Sequence, residues 1–197
     1  MDLQPAVRLS IQYYRAFEYA NQWHRDQARK STTLPYILHP MGVASLVLEA
    51  GGDEEQAIAA LLHDVPEDCG GEARLTEILE MFGPRVEAIV RGCSDSLVAE
   101  KEDKAPWRER KQAHIDHIAT ADMDTLIVTA ADKVHNGRAI ATDLQTIENA
   151  VWKRFNASRE DILWYYSTFH DELAKRKVTP ALLNPLRTAI EIMKIEW

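Results

Sequence analysis

This chain predicts an all-α domain. Apolar residues recur at helical spacing through most of its 197 residues, strand-type alternation is scarce, and proline, glycine and capping residues mark the segment ends. Apolar and charged fractions of 46% and 27% suit an ordinary globular protein, and the length suits one sizeable core. The expectation is a single helical domain across 1–197, without internal repeats or low-complexity tracts.

The first helix is expected from about Val7 to Gln27. Arg29 to His39 follows as a loop, with Pro35 and Pro40 as breakers. Pro40 fits the first turn of a second helix reaching about Ala50, which Gly51-Gly52 end. Asp53 then caps a third helix containing Ala57-Ile58-Ala59-Ala60-Leu61-Leu62 and His63. Shorter helices are expected over Leu75–Phe82 and Pro84–Cys93. Ser94 to Ala105 is polar and without period, so it reads as a loop. Pro106 starts a helix to about Thr120, and Asp124 caps another from Thr125 to about Ile140. Helices over Leu144–Asn156, Arg159–Lys175 and Pro180–Ile195 complete the set.

Several function classes drop out. No apolar run approaches the roughly 18 residues of a membrane span. Met1-Asp2-Leu3-Gln4-Pro5 has no basic region leading into an apolar one, so no signal peptide is expected. Cys69 and Cys93 make no disulfide framework, and a cytoplasmic location is the expectation. A net charge of −8 argues against nucleic acid as a partner. It leaves room for a small anionic ligand held by a local basic patch. Oligomeric state cannot be read.

The richest segment is His63-Asp64-Val65-Pro66-Glu67-Asp68. On a continuous helix, His63 would lie near Glu67 and Asp64 near Asp68. Four ionisable groups crowded in apolar surroundings are costly unless a cation compensates them. Pro66 opposes a helix interior, so the helix is expected to end or kink there and re-aim Glu67 and Asp68. Two further segments, Tyr36-Ile37-Leu38-His39-Pro40 and Ala130-Ala131-Asp132-Lys133-Val134-His135-Asn136, also supply ligand-type side chains. His39, His63, Asp64 and Asp132 make a nitrogen and oxygen set suited to Mn²⁺, Fe²⁺, Co²⁺ or Zn²⁺, without the thiolates of a structural zinc site. An ion so held keeps positions for water and can lower its pKa towards roughly 7. Spacing alone leaves open whether His39 and Asp132 converge on His63.

The ordered set His39, His63-Asp64, Asp132 resembles the HD-domain phosphohydrolases. Three stretches resemble the RelA/SpoT-type hydrolase domain more closely. They are His24-Arg25-Asp26-Gln27-Ala28-Arg29-Lys30-Ser31 with Pro35-Tyr36-Ile37-Leu38-His39-Pro40-Met41-Gly42-Val43-Ala44, then Ala59 to Asp68, then Ala131-Asp132-Lys133-Val134-His135-Asn136-Gly137-Arg138. The resemblance covers about Tyr13 to Tyr165. It implies an HD-domain helical bundle and one Mn²⁺ on His39, His63, Asp64 and Asp132, with Glu67 and Asp68 as catalytic acids beside the metal water. It also implies Arg29 and Lys30 at the base and nearby phosphate, Asn136 near the ribose and Tyr165 near the nucleotide. Arg25 and Lys133 are further phosphate candidates.

The activity implied is hydrolysis of the 3′-pyrophosphate of ppGpp or pppGpp to GDP or GTP. The length is expected to leave no room for synthetase and regulatory domains, as in free-standing small alarmone hydrolases. Ala139 stands where the family usually has a hydroxyl or acidic residue, which opens a shifted nucleotide preference. Adenosine alarmones, NADPH and nucleoside monophosphates are the alternatives. A non-catalytic nucleotide sensor is another, although it would have no need to retain Glu67 and Asp68. His114 and His117 read as ordinary residues of a polar helix, and His135 is left outside the ligand set. Lys101, Lys104, Arg108, Arg110 and Lys111 could form a phosphate-attracting lid, but interleaved with acids they read rather as a solvated face.

Overall fold

In a computed structural model of the chain, Ser10 opens the first helix by accepting the backbone N–H of Gln12, and α1 spans Ile11–Trp23. The structure describes residues 7–94 and 105–196. Among these, all regular elements are helical, apart from one isolated bridge between Ala28 and Pro35. The expected first helix over Val7–Gln27 is thus shorter at both ends. His24, with its ring buried, is the C-cap, and the chain then doubles back through Arg29 N–H to Leu34 O and Tyr36 N–H to Gln27 O. This tight loop presents Arg29 and Lys30.

The second helix, α2 (Leu38–Glu49), takes in His39, which was expected in the loop. Pro40 is its third residue, where a missing N–H forfeits no intrahelical bond. Asp53 caps α3 (Glu54–Leu62) in a reciprocal box: it accepts the Gln56 N–H, while Gln56 Oε1 accepts the Asp53 N–H. Every residue from Gln56 to Leu62 is buried. Truncating one of these leucines to alanine would cost about 2–5 kcal/mol.

The break expected at Pro66 falls slightly earlier in the acidic segment. The third helix stops at Leu62, His63 is its C-cap, and Asp64 is the N-cap of a new short helix, α4 (Val65–Cys69). Pro66 sits in the first turn of α4, where proline is tolerated. Next come α5 (Glu72–Phe82) and α6 (Pro84–Cys93). The loop expected from Ser94 to Ala105 lies, over 95–104, outside the described residues, together with Lys101 and Lys104.

The chain resumes in α7 (Trp107–Ile118), with Pro106 at its cap. Asp122, not Asp124, caps the long α8 (Met123–Ile147), because its carboxylate accepts the Thr125 N–H at 2.7 Å. Asp124 instead accepts from Gln56 and Arg85 and ties α8 to α3 and α6. The helix expected over Leu144–Asn156 is divided. Leu144 belongs to α8, and Glu148–Arg154 forms a 3₁₀ segment. Glu148, at φ 51°, lies in the left-handed region and breaks the α-helical run. The chain then forms α9 (Arg159–Lys175) and α10 (Pro180–Lys194).

Packing centres on α8, which contacts α2, α3, α6 and α10, while α2 and α3 also pack on each other. This three-way contact positions the site. No helix among the described residues is long and apolar enough to cross a membrane.

Candidate metal centre and adjoining cavity

Three elements converge. His39 projects from α2, His63 and Asp64 occupy the break between α3 and α4, and Asp132 lies mid-way along α8. His39, His63 and Asp64 each offer a ligand atom, all within 4.8 Å of one another. Asp64 Oδ2 lies 3.4 Å from His39 Nε2 and 3.1 Å from His63 Nε2. Asp132 Oδ1 lies 3.1 Å from His39 Nε2 and 3.9 Å from His63 Nε2.

The two imidazoles are almost wholly enclosed, and the Nδ1 of each is occupied. His63 Nδ1–H donates to the Ala60 carbonyl at 2.8 Å, which directs the Nε2 lone pair at the cluster. Among the described residues, His63 Nε2 is buried and makes no hydrogen bond. An orphaned buried nitrogen next to two carboxylates suits a divalent cation, and so does the nitrogen and oxygen donor set.

The electrostatics of the four groups are mutual. Burial pulls the His63 pKa down, but Asp64 and Asp132 raise it to about 9. Burial pushes the Asp64 carboxyl up, and His63 and His39 overcome this to hold it well below the usual carboxylate range. Asp132 follows the same pattern, with Lys133 and His39 opposing burial. Such a site holds a proton or a cation, and the two compete.

Around this cluster, Tyr36 Oη donates to Asp64 Oδ2 at 2.6 Å, and Lys133 Nζ donates to Asp132 Oδ2 at 2.6 Å. Lys133, a phosphate candidate by sequence, is therefore turned towards the cluster. Asn136 Nδ2 donates to Asp132 Oδ1 at 2.6 Å, and its Oδ1 accepts from Arg29 Nη2 at 2.8 Å. Arg29 is thereby joined to the cluster through one amide. Glu67 and Asp68 line a polar cavity of about 210 Å³ with His39, His63, Asp64 and Asp132. Asp68 Oδ2 accepts from Gln27 Nε2 at 2.9 Å, and Gln27 in turn bonds the buried His24.

A larger cavity of about 690 Å³ adjoins it and shares Tyr36, His39, Lys111, Lys133 and Asn136 with the smaller one. Its lining includes the aromatic residues Trp107, Phe155, Tyr165 and Tyr166, and Arg29, Lys30 and Arg154 add cations. Lys30 Nζ lies 5.7 Å from the centre of the Phe155 ring. Tyr165 lines this cavity, and its hydroxyl bonds His114 Nδ1 at 3.1 Å. His114 is therefore buried, not an ordinary residue of a polar face. Ala139 also lines the cavity, one helical turn before Asp143, which pairs with Arg154.

Arg25 is not brought to the site. Its side chain is 72% exposed, pairs with Asp26 and lines neither cavity. Lys111, grouped by sequence with a solvated face, lines both cavities. Tyr36, Gln27, His24 and His135 are neighbours of the cluster that sequence reasoning passed over. The one signal for Tyr36 was its place three residues before His39. His135 was visible three residues after Asp132, but nothing in the sequence showed that its ring turns towards α2.

Residues 16–163 match the HD domain family. The chain is 38% identical over 141 residues to a probable GTP pyrophosphokinase of Mycobacterium leprae (strain TN), covering 71% of this chain and 17% of that protein. It is 37% identical over 127 residues to the guanosine-3′,5′-bis(diphosphate) 3′-pyrophosphohydrolase of Aquifex aeolicus (strain VF5), covering 64% of this chain and 17% of that one. The chain thus spans about a sixth of the length of these relatives. Its fold also matches the structure of a metazoan ortholog of SpoT described as hydrolyzing ppGpp and playing a role in starvation responses. That match has a TM-score of 0.73 and 28% identity, and covers 94% of this chain and 97% of the other. With the paired His63 and Asp64 lodged at a helix break inside the matched region, the chain belongs to the HD domain family.

Proposed function

We propose that this chain is a Mn²⁺-dependent phosphohydrolase that removes the 3′-pyrophosphate of ppGpp-type nucleotides, giving GDP or GTP. The observation that carries the reading is the orphaned His63 Nε2 in a four-group cluster opening on a polar cavity, beside an aromatic, cation-lined cavity. The names of the relatives and of the solved structure support the substrate class.

His39, His63, Asp64 and Asp132 would hold the ion. A bound divalent ion supplies Lewis acidity and makes water a better nucleophile near neutral pH. Glu67 accepts a proton from the attacking water. Water oxygen bonds to the phosphorus next to the ribose, the bond from that phosphorus to the 3′-oxygen breaks, and the oxygen leaves with a proton as the ribose hydroxyl. Asp68, steadied by Gln27, is the acid closest in sequence to Glu67 for that second transfer. Lys111 and Lys133 offset phosphate charge at the junction of the two cavities. Arg29 and Lys30 hold the base and nearby phosphate, and the planar guanidinium of Arg29 suits either. Asn136 joins Arg29 to Asp132 and would position the ribose beside them, and Tyr165 forms part of the nucleoside wall.

One observation favours a second reading, hydrolysis of a different nucleotide. Ala139 presents a methyl group to the larger cavity, whose nearby polar lining is Thr142, Asp143 and Arg154. Purified protein with Mn²⁺ and a panel of ppGpp, ppApp, NADPH and nucleoside monophosphates separates the two. Pyrophosphate and GDP from ppGpp are expected. No pyrophosphate from ppGpp would overturn the leading reading, and turnover of another member would establish the second.

A further inference from the structure

Each imidazole at the cluster has two ring nitrogens, and a metal can take Nε2 as a lone pair only if the proton sits on Nδ1. For His63 the acceptor of that proton is the Ala60 carbonyl, one turn back on its own helix. His39 has a different arrangement. Its Nδ1 lies 2.9 Å from His135 Nδ1, on α8, and its ring centre lies 4.8 Å from that of His135, with the planes 60° apart. The contact is nitrogen to nitrogen across two helices. His135 itself makes no approach to the cluster through that atom, because the atom is engaged with His39.

The ring of His135 reaches this position through a gap on α2. A Cβ built on Gly42 would fall 2.3 Å from His135 Cδ2 and 2.4 Å from its Nε2, closer than atoms can approach. Gly42 is three residues beyond His39 on the same helix, so one face of α2 carries both the imidazole and the notch that admits its partner.

We infer that His135 is a positioning residue: its Nδ1 accepts the Nδ1 proton of His39 and so presents His39 Nε2 to the metal. The inference rests on the metal-centre reading above. It assigns to His135 for His39 the service that the Ala60 carbonyl performs for His63. Partners of this kind typically change metal affinity by about 10–100-fold when removed.

Two substitutions separate positioning from packing. His135→Phe keeps a ring in the Gly42 notch and removes the acceptor. His135→Asn loses the ring but keeps an amide oxygen where Nδ1 stood, two bonds from Cβ. Mn²⁺ affinity of the full chain is measured by calorimetry or by the EPR signal of free Mn²⁺, with thermal melting as the check on folding. The expected result is about 10–100-fold weaker Mn²⁺ binding by the Phe variant and near wild-type binding by the Asn variant. If the Phe variant does not fold, His135→Ala serves as the acceptor-free variant. An acceptor-free variant that binds Mn²⁺ as wild type does, or an Asn variant no better than it, overturns the inference alone. Wild-type protein that binds no Mn²⁺, or Asp64→Ala that binds it undiminished, removes the metal-centre reading and the inference together.

Discussion

Tyr36 and Asp64 are joined by a 2.6 Å hydrogen bond from the phenol to Asp64 Oδ2, across 28 residues of sequence. The phenol stays protonated, because burial and then the charges of Asp64 and Asp68 raise its pKa far above the usual value. It therefore donates under all ordinary conditions and fixes one carboxylate oxygen of the cluster. Tyr36→Phe is expected to weaken Mn²⁺ binding by about tenfold while leaving the fold intact, as loss of a partner to a ligating group does. Calorimetric titration checks it, and unchanged affinity would detach Tyr36 from the site.

Asp64 sits between both imidazoles, within 3.4 Å of each Nε2. Asp64→Ala is expected to lose bound metal and turnover together. Elemental analysis after purification in Mn²⁺, set beside pyrophosphate release, tests this. A variant that keeps the metal would shift the ligand set away from Asp64.

Glu67 lines the polar cavity but is not among the three groups whose ligand atoms lie within 4.8 Å of one another. Glu67→Gln is expected to retain Mn²⁺ and to lose about 10²–10⁴-fold in turnover, the usual contribution of a general base. Normal turnover would remove Glu67 from the chemistry.

The metal-free protein should respond to alkali. His63 has a folded-state pKa raised to about 9 from 6.5. Its protonated form favours the folded state, so this stability is fully present below the unfolded value of 6.5 and fades as pH rises through about 9. Over the same window Mn²⁺ affinity should climb, because the ion replaces that proton. Melting temperatures of chelator-treated protein between pH 6 and 10 provide the measurement. A flat profile in the metal-free state, matched by His63→Gln, would contradict the assignment.

Asp53 and Gln56 satisfy each other's backbone N–H groups at the start of α3, the helix that delivers His63. Asp53→Ala should cost about 1 kcal/mol of stability. Chemical denaturation measures it, and because Asp53 also pairs with Arg85, Arg85→Ala in the same background apportions the loss.

Much of this was legible in sequence because it is local. Capping residues and prolines mark Pro84–Cys93 and Arg159–Lys175 at the boundaries the structure has. The order of His39, His63, Asp64 and Asp132 pointed to a cluster, and packing of α2, α3 and α8 brings the four side chains together. What escaped depends on contacts between helices. Nothing near Tyr36 shows that its hydroxyl meets Asp64, and nothing near His135 shows that Gly42 leaves space for its ring. Arg25 had the right charge and neighbourhood, but the turn after His24 leaves it exposed beside Asp26. The break expected at Pro66 comes two residues earlier, because Asp64 already begins a new helix.

The cluster draws its atoms from α2, from the turn after α3 and from the middle of α8. An ion seated there would act as a cross-link, lashing together parts of the polypeptide that are remote along the backbone. Loading it would raise resistance to heat, by about 2.7 kcal/mol when free ion stands at a hundred times its dissociation constant. Starving the protein of that ion would then weaken its architecture along with its chemistry.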